Sequence, residues 1–237
     1  HKATIMSSTD AFDTWFPAAS KQGPFCDGQP KLRLLCFPSS GTMEATFTQK
    51  TRGADRKLCD NVLMTWAKNA GVEVLSVQLP GRGKRHKEPF LNSIEAVASE
   101  LTPLLAPRLI SKGKDGHAVP YAVLGHSMGC WAGYECVHAL AKAGVPPPTL
   151  FLAACFPAPD LALRDRPWAQ NAAMTEGAFK EECRGWDIND SVLNTPHVWA
   201  SFQKMIRADF TLFDEFPPAQ TPNEEDSSGG GGGDSFE

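Results

Sequence analysis

Four short apolar runs recur along the chain: Leu32 to Phe37, Val72 to Val77, Val119 to Leu124 and Leu150 to Ala154. Each is apolar on both alternations, the pattern of strands covered on both faces of a parallel sheet. Helix-length stretches separate them. Ser93 sits where an N-cap belongs, ahead of Ile94, Val97, Leu101, Leu104 and Leu105, which form one stripe at helical spacing. The segment from Met128 to Ala143 predicts another helix, ended by Gly144 and the run Pro146 to Pro148. Alternating strands and helices predict an α/β class domain: a mostly parallel sheet, helices on both faces, right-handed crossovers. After Phe156 the pattern turns helical. Thr195 before Pro196 reads as an N-cap followed by a first-turn proline, and Trp199, Phe202, Met205, Ile206, Phe210 and Phe213 continue at helical spacing. Pro157 to Phe216 is therefore expected to be a helical insertion, with a lid over about residues 157–213.

The flanks differ in character. Residues 1–30 are rich in Ser, Ala, Gly and Pro without periodicity and are expected to form a loosely packed N-terminal arm. Residues 217–237 hold five consecutive glycines (Gly229 to Gly233) among Ser and acids, the composition of a flexible acidic tail. One domain, residues 31–216, is expected between them. The formal charge of −4 lies in that tail, whose five acids leave 23 bases and 22 acids on the first 216 residues. A body so nearly neutral excludes nucleic-acid binding driven by bulk charge. A hydrophobic content of 42% excludes an acidic disordered chain. The longest apolar run, Leu150 to Phe156, is far shorter than the roughly 18 residues of a membrane span, so a soluble chain with no membrane partner is expected. Seven cysteines without a CxxC pair suit a reducing compartment, expected to be the cytoplasm. Because the chain begins at His1 rather than Met, an organelle such as a plastid stays open.

The chemistry centres on Gly125-His126-Ser127-Met128-Gly129, a GxSxG string. An apolar strand runs into it and a helix leaves it, as a nucleophile elbow requires. Ser127 is the candidate catalytic nucleophile. A Cβ on either flanking glycine would collide with neighbouring backbone, and the N–H of Met128, at the helix start, would face a substrate oxyanion. A second oxyanion donor is expected from the loop after the first strand, Pro38-Ser39-Ser40-Gly41, with Ser39 or Ser40 supplying the backbone N–H. The same composition suits an ordinary strand-to-helix turn equally well.

Four strings in order, LCFPSSG (Leu35 to Gly41), EVLSVQLPGRGKR (Glu73 to Arg85), PYAVLGHSMG (Pro120 to Gly129) and RADFTLFDEF (Arg207 to Phe216), resemble successive blocks of the type II thioesterases. The resemblance covers Leu32 to Phe216. It implies an α/β-hydrolase fold and a serine thioesterase that releases acyl groups from the phosphopantetheine thiol of an acyl or peptidyl carrier protein. The reaction would pass through an acyl-serine intermediate in fatty acid, polyketide or nonribosomal peptide synthesis, with no cofactor and no metal. The chain departs from the family at its first loop, which usually reads FPxAGG and here reads Phe37-Pro38-Ser39-Ser40-Gly41-Thr42. The stretch Thr42 to Ala70, with Thr51 to Arg56, is also longer than its family counterpart.

A serine hydrolase needs a general base and an acid to orient it. Downstream of Ser127 the histidines are His138 and His197. His138 lies on the same helix, about 16 Å along its axis, and cannot reach. His197 is on the first turn of the helical insertion, where a solvent-facing or capping role is expected, and His126 is expected to point away from the cleft and pack. In the family the acid and histidine follow the RADFTLFDEF-like block on loops after the last strands. Here only the tail follows, with Asp234 in it, so the chain is expected to be a fragment and to be inactive by itself. Two other classes stay open: a serine carboxylesterase or acyltransferase on the same fold, and a noncatalytic acyl-binding module. Arg82, Lys84, Arg85 and Lys87 form a basic loop that is a candidate for carrier docking. Trp168, Met174, Phe179, Trp186, Trp199, Phe202 and Met205 are candidates either for an acyl channel or for packing the insertion onto the body.

Overall fold

Each of the four apolar runs becomes a strand of one sheet in the computed structural model, which describes residues 8–25, 28–112 and 116–219. In chain order the elements are α1 (Ser8–Trp15), β1 (Leu32–Phe37), α2 (Ala45–Thr48), β2 (Thr51–Arg52), β3 (Leu58–Cys59), α3 (Val62–Ala70), β4 (Val72–Ser76), α4 (Ile94–Ile110), β5 (Tyr121–His126), α5 (Met128–Lys142), β6 (Leu150–Ala154), α6 (Glu176–Gly185), α7 (Asp190–Leu193) and α8 (Pro196–Asp214). The sheet order is β4-β1-β5-β6 and every pairing in it is parallel. The short β2–β3 hairpin stands apart, within residues 42–70.

The alternation of side chains along β1 divides the core. Leu35 and Phe37 point into a large cluster with Val97, Leu101 and Leu105 of α4 and Trp131 and Cys136 of α5. Leu34 and Cys36 point the other way, against Ala67 of α3 and Val74 of β4. Ser93 caps α4 as its sequence suggested, its Oγ accepting from the Ala96 N–H at 3.1 Å. Thr195 precedes the first-turn Pro196 of α8, but its side chain makes no capping hydrogen bond.

Two expectations are corrected. Residues 8–22 are not loosely packed: Trp15, Phe16 and Ala19 are buried in the main core. The Arg85 guanidinium lies 4.3 Å from the centre of the Trp15 ring. The Gln22 amide bonds both backbone groups of Val74, accepting at 2.8 Å and donating at 2.7 Å. This closes the outer edge of β4, where another strand would otherwise pair. The second correction concerns β6, read as covered on both faces. Among the described residues it pairs with β5 alone, and Leu150 and Leu152 are 52% and 44% exposed, since no described helix packs over them.

The strand order explains where a site forms. From β1 the chain passes to β4 on one side, then crosses to β5 on the other, so the loops after β1 and β5 diverge and leave a crevice at the carboxyl ends of those strands. Residues 157–216 form α6, α7 and α8 with 3-10 turns and no strands. Of the aromatic and Met residues there, Phe179, Trp199, Met205, Phe210, Phe213 and Phe216 are buried. Trp168, Met174, Trp186 and Phe202 are half-buried against the core. A polar hub also holds the insertion. Arg166 donates to the carbonyls of Phe213, Asp214 and Phe216 at 2.8, 3.0 and 2.6 Å while lying over the Trp131 ring. Asp214 accepts from Trp168 Nε1 and from the Asn171 backbone and side chain, and burial pushes its carboxyl above the usual aspartate range against the pull of those bonds.

Candidate active site

At the carboxyl end of β5 the backbone must turn at once into α5. Ser127 makes that turn with φ 51° and ψ −129°. A non-glycine residue in such a conformation costs on the order of 1–3 kcal/mol, held in place by its surroundings. Here the Ser127 N–H donates to the Ala154 carbonyl of β6 at 2.8 Å, and its carbonyl accepts from the Cys130 N–H at 2.8 Å. Cys130 seals the underside: its buried Sγ donates to the carbonyls of Gly125 and Ala154 at 3.2 and 3.3 Å, and burial pushes the thiol up. The two glycines are sterically required. A Cβ on Gly125 would lie 2.5 Å from Cys130 Cα, and one on Gly129 would lie 2.2 Å from the Phe37 carbonyl oxygen.

The close approach of Gly129 to Phe37 and Pro38 sets the start of α5 against the end of β1, so the Pro38 to Thr42 loop begins beside Met128. That loop is a tight turn: the Ser39 carbonyl accepts from both the N–H and the Oγ1 of Thr42, at 3.2 and 2.8 Å. Gly41 follows with φ 73°, a left-handed conformation that favours glycine. Among the described residues the N–H groups of Ser39, Ser40 and Met128 donate to no protein group, and the buried Ser40 Oγ has no partner. The fold thus gathers Ser127, Met128, Ser39 and Ser40 at one edge of the sheet.

His126, His138 and His197 do not hydrogen-bond Ser127. His197 is exposed on the first turn of α8, and His138 packs its ring 4.4 Å from Tyr134. His126 is half-buried at the end of β5, and Asp234 lies outside the described residues. Among the described residues, none hydrogen-bonds the Ser127 hydroxyl, and none forms a cluster able to hold a metal ion. No described helix is long and apolar enough to cross a membrane.

The basic loop after β4 takes a different part from the surface role its charges suggested. Arg82 and Arg85 are buried, leaving Lys84 and Lys87 exposed. Arg85 Nη1 donates to the Gln78 carbonyl at 2.8 Å and pairs with Glu88. Arg82 forms a two-pronged pair with Asp209 of α8, at 2.7 and 2.5 Å, and also donates to the Thr42 carbonyl at 3.0 Å. Asp209 in turn accepts from the Gly41 N–H at 2.8 Å. Its only trace in the sequence is its place in the RADFTLFDEF string. Past the end of β6, Cys155, Phe156, Pro157, Pro167, Trp168, Glu182, Gly185 and Trp186 line an open groove of about 550 Å³. Cys155 follows Ala154, the residue bonded to the Ser127 N–H, and Ser127 itself is not among the residues that line the groove.

Residues 33–231 match the family model described as a thioesterase domain. The AMB antimetabolite synthetase AmbE of Pseudomonas aeruginosa is 29% identical over 191 residues, which is 79% of this chain and 8% of the synthetase. The gramicidin S biosynthesis protein GrsT of Aneurinibacillus migulanus is 26% identical over 213 residues, 87% of this chain and 70% of that protein. Among solved structures, the RedJ thioesterase from the prodiginine biosynthetic pathway in Streptomyces coelicolor superposes with a TM-score of 0.63 at 26% identity. That match covers 89% of this chain and 74% of RedJ. The chain therefore spans a small part of AmbE and about seven-tenths of GrsT and RedJ. A family match over most of the sequence, on a parallel sheet flanked by helices, places the chain in the thioesterase domain family, with the α/β-hydrolase fold.

Proposed function

We propose that the chain carries the nucleophile and oxyanion pocket of a type II serine thioesterase, acting on acyl groups held by the phosphopantetheine thiol of an acyl or peptidyl carrier protein. One observation carries this reading: Ser127 is held at φ 51° between two glycines that admit no Cβ, at the edge where the N–H groups of Met128, Ser39 and Ser40 have no protein partner. In this mechanism the Ser127 hydroxyl adds to the thioester carbonyl, and its oxygen becomes an oxyanion met by the Met128 N–H and by that of Ser39 or Ser40. Collapse expels the thiolate. Thiols are far more acidic than alcohols, a cysteine thiol having a pKa of about 8.5, so a thiolate leaves far more readily than an alkoxide and this step needs little protonation. Water then releases the acyl group from Ser127. The aromatic groove lined by Phe156, Trp168 and Trp186 suits an apolar acyl chain.

The general base that takes the serine proton is not among the described partners of Ser127, so the test is run in a buffer whose base can take that proton. An alkyl boronic acid takes the serine oxygen into a tetrahedral boronate, the serine proton passing to the buffer, and places an oxyanion in the pocket. The expected result is an adduct on Ser127 by boron NMR and peptide mass spectrometry, lost in Ser127→Ala. Acyl-pantetheine thioesters are then compared with the matching oxyesters, and Ser127-dependent acylation is expected to favour the thioester. Equal acylation by both supports the carboxylesterase reading, and absence of any Ser127-dependent adduct overturns the proposal.

A further inference from the structure

We propose that Arg82 and Asp209 are positioning residues, which hold the Ser39 to Gly41 backbone in the geometry that binds the oxyanion. This rests on the reading of Ser127 and that loop as one reaction centre. Three segments meet at the pair: the loop after β1, the loop after β4 and helix α8. Both carboxylate oxygens of Asp209 are used, Oδ1 by Arg82 Nη2 and Oδ2 by Arg82 Nη1 and the Gly41 N–H. Arg82 closes the circuit by donating to the Thr42 carbonyl. The loop is thereby fixed at a donor and an acceptor on adjacent residues, Gly41 and Thr42, immediately after Ser40.

The physical case is that stability alone does not call for such a pair. Arg82 and Asp209 are 4% and 1% exposed. Burying two charges carries a large desolvation cost, and apolar residues of equal volume often serve stability as well or better. A two-pronged guanidinium–carboxylate contact instead fixes direction as well as distance. It does so where direction matters, because an N–H misplaced by about 1 Å can forfeit about 100-fold in rate. The loop also needs outside support: its own bonds are the Ser39–Thr42 turn, and Gly41 adds freedom rather than stiffness. Neither side chain hydrogen-bonds Ser127, so their action passes through the backbone they hold.

The test measures two ligands on the full chain. An alkyl boronic acid reports the oxyanion pocket, and a non-hydrolysable acyl-pantetheine thioether reports ground-state binding. Asp209→Asn and Arg82→Lys are expected to weaken the boronate by about 10- to 100-fold while the thioether changes less than about twofold. The paired variant Arg82→Leu with Asp209→Leu removes the charges together, avoids leaving one buried alone, and is expected to fold and to show the same selective loss. Arg82→Lys keeps the charge and so guards against a failure to fold. Boronate affinity within about twofold of wild type in a folded variant overturns the proposal, as does equal weakening of both ligands, the mark of a merely structural pair. If Ser127→Ala binds the boronate as well as wild type, the reading of the site fails, and the proposal with it. That control is independent of the clamp variants, so the two failures are distinguishable.

Discussion

Gly129 offers the sharpest test of how the elbow is packed. An alanine there would bring its Cβ to 2.2 Å from the Phe37 carbonyl oxygen, 2.7 Å from the carbonyl carbon and 2.8 Å from the Pro38 carbonyl oxygen, where contacts below 3.0 Å essentially never occur. To make room, α5 and the end of β1 must part by most of an ångström. Neither can do so easily, because Phe37 is 1% exposed and its backbone is in register with Gly125 of β5. Overpacking of a rigid core typically costs about 1–3 kcal/mol, and a clash against backbone belongs at or above the top of that range. Little of it is offset by helix propensity, since Gly129 is the second residue of α5. The expected loss is about 2–4 kcal/mol by urea unfolding followed by tryptophan fluorescence. The boronate should also weaken by about 100-fold, because the same displacement separates Met128 from the Ser39 to Gly41 loop. Gly133→Ala, one turn on, is the control: its Cβ meets side-chain atoms of Val123, Phe37 and Phe151 at 3.1 to 3.4 Å, which can yield. It should cost no more than about 1–2 kcal/mol, because Gly133 is inside α5 and the gain in helix propensity, about 1 kcal/mol, offsets part of the overpacking. Unfolding of Gly129→Ala within about 0.5 kcal/mol of wild type would refute the account of the elbow.

Three further outcomes are expected. Phe16→Ala should cost about 3–5 kcal/mol in the same unfolding assay, since Phe16 is wholly buried; an effect near zero would restore the loose-arm reading. Gly177→Ala at the second position of α6, where a Cβ meets nothing within 4 Å, should change stability by less than about 0.5 kcal/mol, and a loss above about 1 kcal/mol would contradict it. At pH 8, alkylation of the folded chain should modify exposed Cys59 and Cys155 and spare Cys36, Cys130, Cys136 and Cys183. Burial pushes the thiols of Cys136 and Cys183 up to about 12, and a raised thiol pKa means less thiolate, so they react only as pH climbs toward that value or the fold opens. Peptide mapping that finds Cys136 labelled before unfolding would count against the packing around α5.

Much of the fold was legible because strands and amphipathic helices are written in near-neighbour spacing. The run Leu32 to Phe37 and the strand β1 coincide, and so do Leu150 to Ala154 and β6. The run Val119 to Leu124 was displaced toward the elbow, because Gly125 and His126 pair with Ala153 and Ala154 and extend β5 beyond its apolar residues. Trp15 and Phe16 carried no periodic signal, being two large apolar residues among small and polar ones. Their burial depends on the open edge of β4 and on Arg85, which only folding brings to them. The basic loop misled for a related reason: Arg82 looks solvated until Asp209, 127 residues later, is beside it.

Linear order was sufficient for the elbow itself. Strand, glycine, serine, glycine and helix are consecutive, and the steric demand they make on one another is local. The strands and the turn at Ser127 therefore follow from the chain's own spacing. The setting of that serine does not. The Gly41 N–H reaches Asp209 across 168 residues, Arg82 reaches Thr42 across 40, and Gln22 seals β4 across 52. Such contacts arise where sheet order and helix packing bring distant segments together. No periodicity encodes them, because each partner is a single polar residue whose meaning is set by what the fold places opposite it.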